Sequence, residues 1–248
     1  MKKIAFYGKG GIGKSTTAST RLLLGHICKE TILDKVRACE IEDIKAEDIV
    51  HAGFNGITCV ETGGPEPGVG CAGRGIIVSL QLLDKLNALP SVDLTLYDVL
   101  GDVVCGGFAM PIREGYASDI YIVSSGELMS LYAANNIAKG VRRFAMRGNV
   151  RLAGIIGNSR NTPNEKKLLT EFAKRLNTKL VAFVPRDRIV NISENSKQTV
   201  LQYAPDSAQA DIYRKLANDI WMNEELSVPT PITFEELEKL VDIYGTEN

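Results

Sequence analysis

The sequence predicts an α/β fold, a mostly parallel sheet with helices on both faces. Short apolar runs rich in β-branched residues alternate with longer segments of helical periodicity, the rhythm of a parallel sheet covered by helices. Most runs end in Gly, Asp, Ser or Asn, where an open α/β sheet places its ligand-binding loops. A glycine-rich loop joins the first run to the first helical segment. In chain order, strands are expected at residues 3–7, 57–61, 94–100, 120–124, 152–157 and 180–184, each a short apolar stretch. Helices are expected at 14–24, 76–89, 127–146, 164–176 and 207–223, where apolar positions recur at helical spacing. The tail 227–248 opens with Val-Pro-Thr-Pro and then offers Thr233-Phe-Glu-Glu236, a capping box that starts a helix over 234–244. Such a tail docks on its own domain or on a partner subunit.

The 248 residues are 44% hydrophobic and 24% charged, enough for a sizeable core, and no repeat or low-complexity linker divides them. One domain spanning 1–248 is the simplest organisation. Net charge is −1 with acids and bases dispersed, which leaves no basic footprint for nucleic acid and no polybasic membrane signal. Met1-Lys2-Lys3 leads straight into an apolar run without the pattern of a signal peptide, and no run reaches the length of a membrane helix. A cytoplasmic location is expected. Five cysteines (Cys28, Cys39, Cys59, Cys71, Cys105) are an odd number in a reducing compartment, so metal or redox chemistry is expected rather than disulfides.

Gly8-Lys9-Gly10-Gly11-Ile12-Gly13-Lys14-Ser15-Thr16 follows the first strand and opens a helix, matching G-x-x-x-x-G-K-[ST] in the context that motif requires. Its glycines let backbone N–H groups close around a β-phosphate, Lys14 reaches the β/γ oxygens, and Ser15 offers a hydroxyl to Mg²⁺. Lys9 resembles the second lysine of the deviant Walker ATPases, which reaches the nucleotide of the facing subunit; that resemblance implies a nucleotide-gated homodimer. Leu94-Thr-Leu-Tyr-Asp98-Val-Leu-Gly101-Asp102 is an apolar strand ending in two carboxylates and a glycine. Asp98 is the expected Mg²⁺ ligand, directly or through water. Asp102 is the candidate for orienting or deprotonating the attacking water, with Gly101 as the point about which the segment swings.

Two further loops set one cysteine each among glycines, Cys71 within residues 61–75 and Cys105 within 102–111. Glycine surroundings bare N–H groups that can hydrogen-bond cluster sulfides. A cubane 4Fe–4S cluster wants four thiolates and each chain offers two, and a symmetry mate can supply the other pair. Cys105 lies three residues after Asp102, which gives nucleotide binding a short covalent route to the cluster. Cys28, Cys39 and Cys59 read as ordinary structural residues.

Together these segments resemble the nitrogenase iron-protein family, also called dinitrogenase reductase, over nearly the whole chain from Arg21 onward plus the first strand and phosphate loop. The wording of 63–75 and 97–113 carries the resemblance, with further matches at 132–137, 158–161 and 184–187. The resemblance implies a homodimeric, ATP-dependent electron donor with Cys71 and Cys105 as cluster ligands and Gly8 through Thr16 on the phosphates. Asn158, Pro185, Arg186, Asp187, Glu194, Gln209 and Asp211 correspond to positions around the nucleoside, and Arg74 to an arginine that some members carry ADP-ribosylated. It implies MgATP and one 4Fe–4S cluster per dimer as cofactors, a ferredoxin or flavodoxin as external donor, and a nitrogenase-type catalytic component as partner. Relatives that reduce tetrapyrroles or a methanogen nickel-cofactor precursor are the alternative, as is a divergent paralogue with impaired ATPase activity. A departure accompanies the match: the family follows its phosphate-loop helix with a second strand and a Cys-Asp-Pro-Lys-x-Asp segment. Here Lys14-Ser-Thr-Thr-Ala-Ser-Thr-Arg21 runs directly into Leu22-Leu-Leu-Gly25, and no convincing strand is read between Tyr7 and Ile57. Either this is a divergent member or the sequence lacks a segment here; for the sequence as it stands, weak or absent MgATP hydrolysis is expected. Gly157 stands where the family often has cysteine.

Overall fold

Five of the six predicted apolar runs form one parallel sheet. The computed structural model describes residues 1–14, 19–64, 72–89, 91–99 and 110–245. In chain order the elements are β1 (Lys2–Gly8), α1 (Thr20–Leu24), α2 (Ile32–Ala38), α3 (Ala46–Ile49), β2 (His51–Ala52), β3 (Thr58–Cys59), α4 (Ala72–Lys85), β4 (Leu94–Asp98), α5 (Met110–Arg113) and β5 (Asp119–Ser124). They continue with α6 (Leu128–Ala145), β6 (Arg151–Asn158), α7 (Glu165–Arg175), β7 (Leu180–Val184), α8 (Arg188–Asn195), α9 (Val200–Tyr203), α10 (Ala208–Trp221) and α11 (Phe234–Tyr244). The sheet order is β4-β1-β5-β6-β7, every pairing parallel, so the carboxyl ends of all five strands share one edge.

Strand alternation divides the core between the two faces. Ala5, Tyr7, Ile120 and Ile122 pack with Leu131, Ala134, Ala138 and Val141 of α6, with Leu168 and Phe172 of α7, and with Leu237 and Leu240 of α11. Ile4, Phe6, Tyr121 and Val123 face the other way, onto Leu216 and Ile220 of α10. In β6 the alternation slips: Ile120 pairs with Leu152 but Tyr121 with Gly154, which leaves Ala153 as the extra residue of a bulge. Gly154 sits at φ +149, and a Cβ there would lie 2.3 Å from Val181 Cγ2. The slip is why Leu152 and Ile155, three apart, share one face.

Two expectations are corrected. Residues 57–61 do not join the main sheet: only Thr58 and Cys59 are extended, paired antiparallel with His51 and Ala52 in a separate two-stranded sheet. The run does not keep a strand's alternation, since Cys59 is buried while Ile57, which would share its face, is exposed, and its partner is two residues long. The helix expected over 14–24 is interrupted at Ser19, which is extended at φ −82 and ψ 121 and precedes α1. Residues 20–59 instead build a small unit of short helices in which Ile32, Ile44 and Ile49 gather with Leu82 of α4. Among the described residues β4 pairs with β1 alone and stands at the sheet edge. The tail crosses back over the helices, with Thr230 N–H donating to Leu176 O and Asn135 exchanging two hydrogen bonds with Ile232, before the Thr233 capping box opens α11.

Candidate functional site

The phosphate loop leaves β1 at Gly8, where a Cβ would meet Val123 O at 2.5 Å, so only glycine lets β1 and β5 end side by side. Gly11 and Gly13 take φ of +75 and +84, and between them Ile12 turns inward and anchors the loop in the core. Ile12 N–H donates to Lys9 O at 3.2 Å, closing the turn. Lys9 is half-buried and Gly10 exposed. Lys14 is 6% exposed, and its ammonium rests directly on the Asp98 carboxylate from the end of β4. The structure thus brings together the two predicted charges from opposite ends of the motif set. Ser15, Thr16, Asp102, Cys71 and Cys105 lie outside the described residues.

Beside the Lys14–Asp98 pair opens a cleft of about 630 Å³, lined by Thr20, Glu61, Leu96 and Tyr97 among others. Thr20 donates to Glu61 Oε2 at 2.5 Å. Burial, and secondarily the Asp84 charge, pushes the Tyr97 phenol up to about 12, so it stays a neutral hydrogen-bonding group.

On the other side of the loop, Asn158 at the end of β6 donates through Nδ2 to Ile12 O at 2.6 Å, and the Arg160 guanidinium donates to Gly11 O. A cavity of about 200 Å³ lies between these groups, Gly11, Gly13 and the segment after β7. It gathers Asn158, Pro185, Arg186, Asp187, Glu194 and Gln209, six of the seven residues expected around a nucleoside. Asp187 also caps α8 by accepting from Ile189 N–H at 2.8 Å, which fixes the Pro185–Asp187 turn. Gln209 is 2% exposed, and its Nε2 has no hydrogen-bond partner, an orphaned buried amide at the cavity wall. Asp211 does not join them: it is exposed on α10 and pairs with Arg214 at 2.8 Å. Arg160 and Tyr213 line the cavity but were not singled out from sequence. Arg160 stands inside the quoted Asn158-Ser-Arg-Asn161 motif, whereas Tyr213 carries no local signal.

A nucleotide fits these residues. Gly11 and Gly13 take the positive φ of a tight phosphate-type loop, Lys14 is the adjacent cation, and Gln209 offers an unused donor at the cavity wall. Arg74 is exposed in the first turn of α4. Of the cysteines, Cys59 is buried with its thiol pushed up by burial, Cys39 is exposed, and Cys28 is half-buried with its sulfur 3.4 Å from His51 Nε2. Among the described residues no group of three or more His, Cys, Asp or Glu could hold a metal, and no helix is long and apolar enough to cross a membrane.

A sequence profile described as 4Fe-4S iron sulfur cluster binding proteins, NifH/frxC family, matches residues 17–247. Solved structures with the same fold include the Pyrococcus furiosus cell division ATPase MinD, at TM-score 0.64 and 18% identity, covering 89% of this chain and 99% of that one. A ParA family ATPase from Chlorobium tepidum superposes at TM-score 0.65 with 17% identity, covering 90% and 99%. Cyanothece McdA in complex with ATP superposes at 0.63 with 14% identity, covering 90% and 98%.

Proposed function

We infer the function of this chain from its family: it belongs to the 4Fe-4S iron sulfur cluster binding proteins of the NifH/frxC family. On that premise we propose an ATP-dependent, homodimeric electron donor that serves a nitrogenase-type catalytic component. The observation that carries the nucleotide half of this reading is the convergence of Lys14, Asp98, Asn158, Arg186, Asp187 and Gln209 around one glycine loop at a single edge of the sheet. A neighbour of the same fold, Cyanothece McdA, was solved with ATP, which supports the same assignment.

In this reading Gly8 through Thr16 cradle the phosphates, Lys14 exchanges Asp98 for phosphate oxygens, and Asp98 with Ser15 turns to Mg²⁺. Asn158 and Arg160 hold the loop from its far side. Lys9 serves the facing subunit, and Asp102 orients the water. Cys71 and Cys105 from each of two chains hold the cluster, which when bound supplies a one-electron couple. An external ferredoxin or flavodoxin reloads it, and Arg74 is the site at which ADP-ribosylation would block docking.

Anaerobic purification tests the proposal. A brown dimer with about four irons per two chains, bleached by dithionite and binding MgATP, is the expected result. A colourless protein that still hydrolyses ATP would instead favour an ATPase without redox chemistry, as in the cell division and ParA family ATPases that share the fold. A folded, monomeric chain that stays free of iron after reconstitution overturns the proposal.

A further inference from the structure

Glu165 is the first residue of α7, and its carboxylate is nearly sealed from solvent at 4% exposure. A buried carboxylate is tolerated only where donors replace its water. Three do so here. Oε1 accepts from Gly126 N–H at 2.8 Å and Arg160 N–H at 3.1 Å, while Oε2 accepts from the Ser159 hydroxyl at 2.6 Å and shares Arg160 N–H at 3.1 Å.

The donors come from two neighbouring strand ends. Gly126 follows β5, whereas Ser159 and Arg160 follow β6, so one side chain ties two adjacent loops together. The approach demands glycine at 126, where a Cβ would lie 2.9 Å from Glu165 Cγ and 2.6 Å from Thr162 Oγ1. On either side of Ser159, the side chains of Asn158 and Arg160 grip the phosphate loop at Ile12 O and Gly11 O. Arg160 is thereby held at both ends, its N–H on Glu165 and its guanidinium on Gly11. Glu165 itself does not line the 200 Å³ cavity.

We propose that Glu165 is a positioning residue of the nucleotide site: its carboxylate fixes the backbone of residues 158–160 so that Asn158 and Arg160 close on the phosphate loop. The proposal rests on the reading of that cavity as the nucleotide site. Its alternative is a purely structural role, in which the carboxylate stabilises the fold and leaves the site untouched.

The test is titration of the full-length protein with a fluorescent ADP bearing a methylanthraniloyl group, in the presence of Mg²⁺. Glu165→Gln keeps one accepting oxygen but turns an NH₂ toward donors, and is expected to weaken binding about tenfold. In a background carrying Asn158→Ala and Arg160→Ala, the same change is expected to cost less than about twofold, because the groups it positions are gone. Unaltered affinity in Glu165→Gln, or the same tenfold loss in that background, overturns the proposal. Should circular dichroism show Glu165→Gln unfolded, Ser159→Ala removes the Oε2 contact together with the Ser159–Asn161 hydrogen bonds and is expected to weaken binding about threefold; no change there overturns the proposal equally. A wild-type protein that does not bind the fluorescent nucleotide overturns instead the nucleotide reading beneath it.

Discussion

Lys14 and Asp98 join the phosphate loop to the end of β4 through an ion pair. The lysine is 6% exposed, and its ammonium is matched by the carboxylate at the end of β4, whose side chain keeps 25% of its exposure. Removing one partner strands the other, and the cost is greatest for the more buried charge. Asp98→Asn is therefore expected to lower stability by about 1–3 kcal/mol, the lower half of the range reflecting the solvent that still reaches position 98. Urea unfolding checks it, and an unmoved midpoint would count against the pairing. Lys14→Ala is expected to act on binding, weakening the fluorescent nucleotide by more than about tenfold because no other cation occupies that end of the loop among the described residues. At this scale the sequence was most legible where a motif fixes chemistry and spacing together. Lys14 and Asp98 stood out because each sits at a defined offset from a strand. Glu165 did not: an acid at the start of a helix reads as a solvated dipole partner, and only the fold reveals that it is buried against two loops.

Elements whose signals are local were equally legible. The helix over 234–244 begins where the Thr233-x-x-Glu236 pattern predicts, with Thr233 Oγ1 accepting from Glu236 N–H and the Glu236 carboxylate accepting from Thr233 N–H at 2.7 Å. Thr233→Ala is expected to cost about 1 kcal/mol, read as a lower Tm. The Thr233 hydrogen bonds hold the Glu236 carboxyl below the usual glutamate range. A depressed folded pKa contributes stability above the unfolded pKa and loses it as pH falls through the folded one. The Tm difference between wild type and Glu236→Gln should accordingly narrow as pH is lowered below about 4. Thr31-x-x-Asp34 is the same kind of box at the start of α2 and was legible in principle, but its helix is only seven residues long and its periodicity does not announce it. The bulge in β6 had a weak local signal, Gly154 inside an apolar run, which marks a bulge or a close approach but not which strand will crowd it. Gly154→Ala would drive a methyl into Val181 at a φ that L residues rarely adopt, and a loss of at least about 2 kcal/mol in unfolding free energy is the expected result.

For the molecule as a whole, the consequence of greatest reach lies on the open side of β4. Among the described residues that strand, which ends in Asp98, pairs only with β1, while residues 20–59 form short helices and a two-residue hairpin that contribute nothing to the main sheet. A strand covering β4 would carry its own loop to the same edge, beside Lys14 and Asp98, where a cleft of about 630 Å³ now opens. Phosphoryl transfer to water depends on groups that neutralise charge and align the nucleophile from several directions. With no such strand among the described residues, the carboxylates they bring to the cleft are Asp98, paired with Lys14, and Glu61, engaged with Thr20. Binding and turnover should therefore separate. The chain is expected to bind fluorescent ADP while its MgATP turnover stays at least about a hundredfold below that of a family member retaining the Cys-Asp-Pro-Lys-x-Asp segment. Phosphate release under saturating MgATP measures it for both proteins side by side. Equal turnover would mean that the open edge of β4 is closed in the working dimer by groups from the second subunit, and the expectation of impaired hydrolysis would be withdrawn.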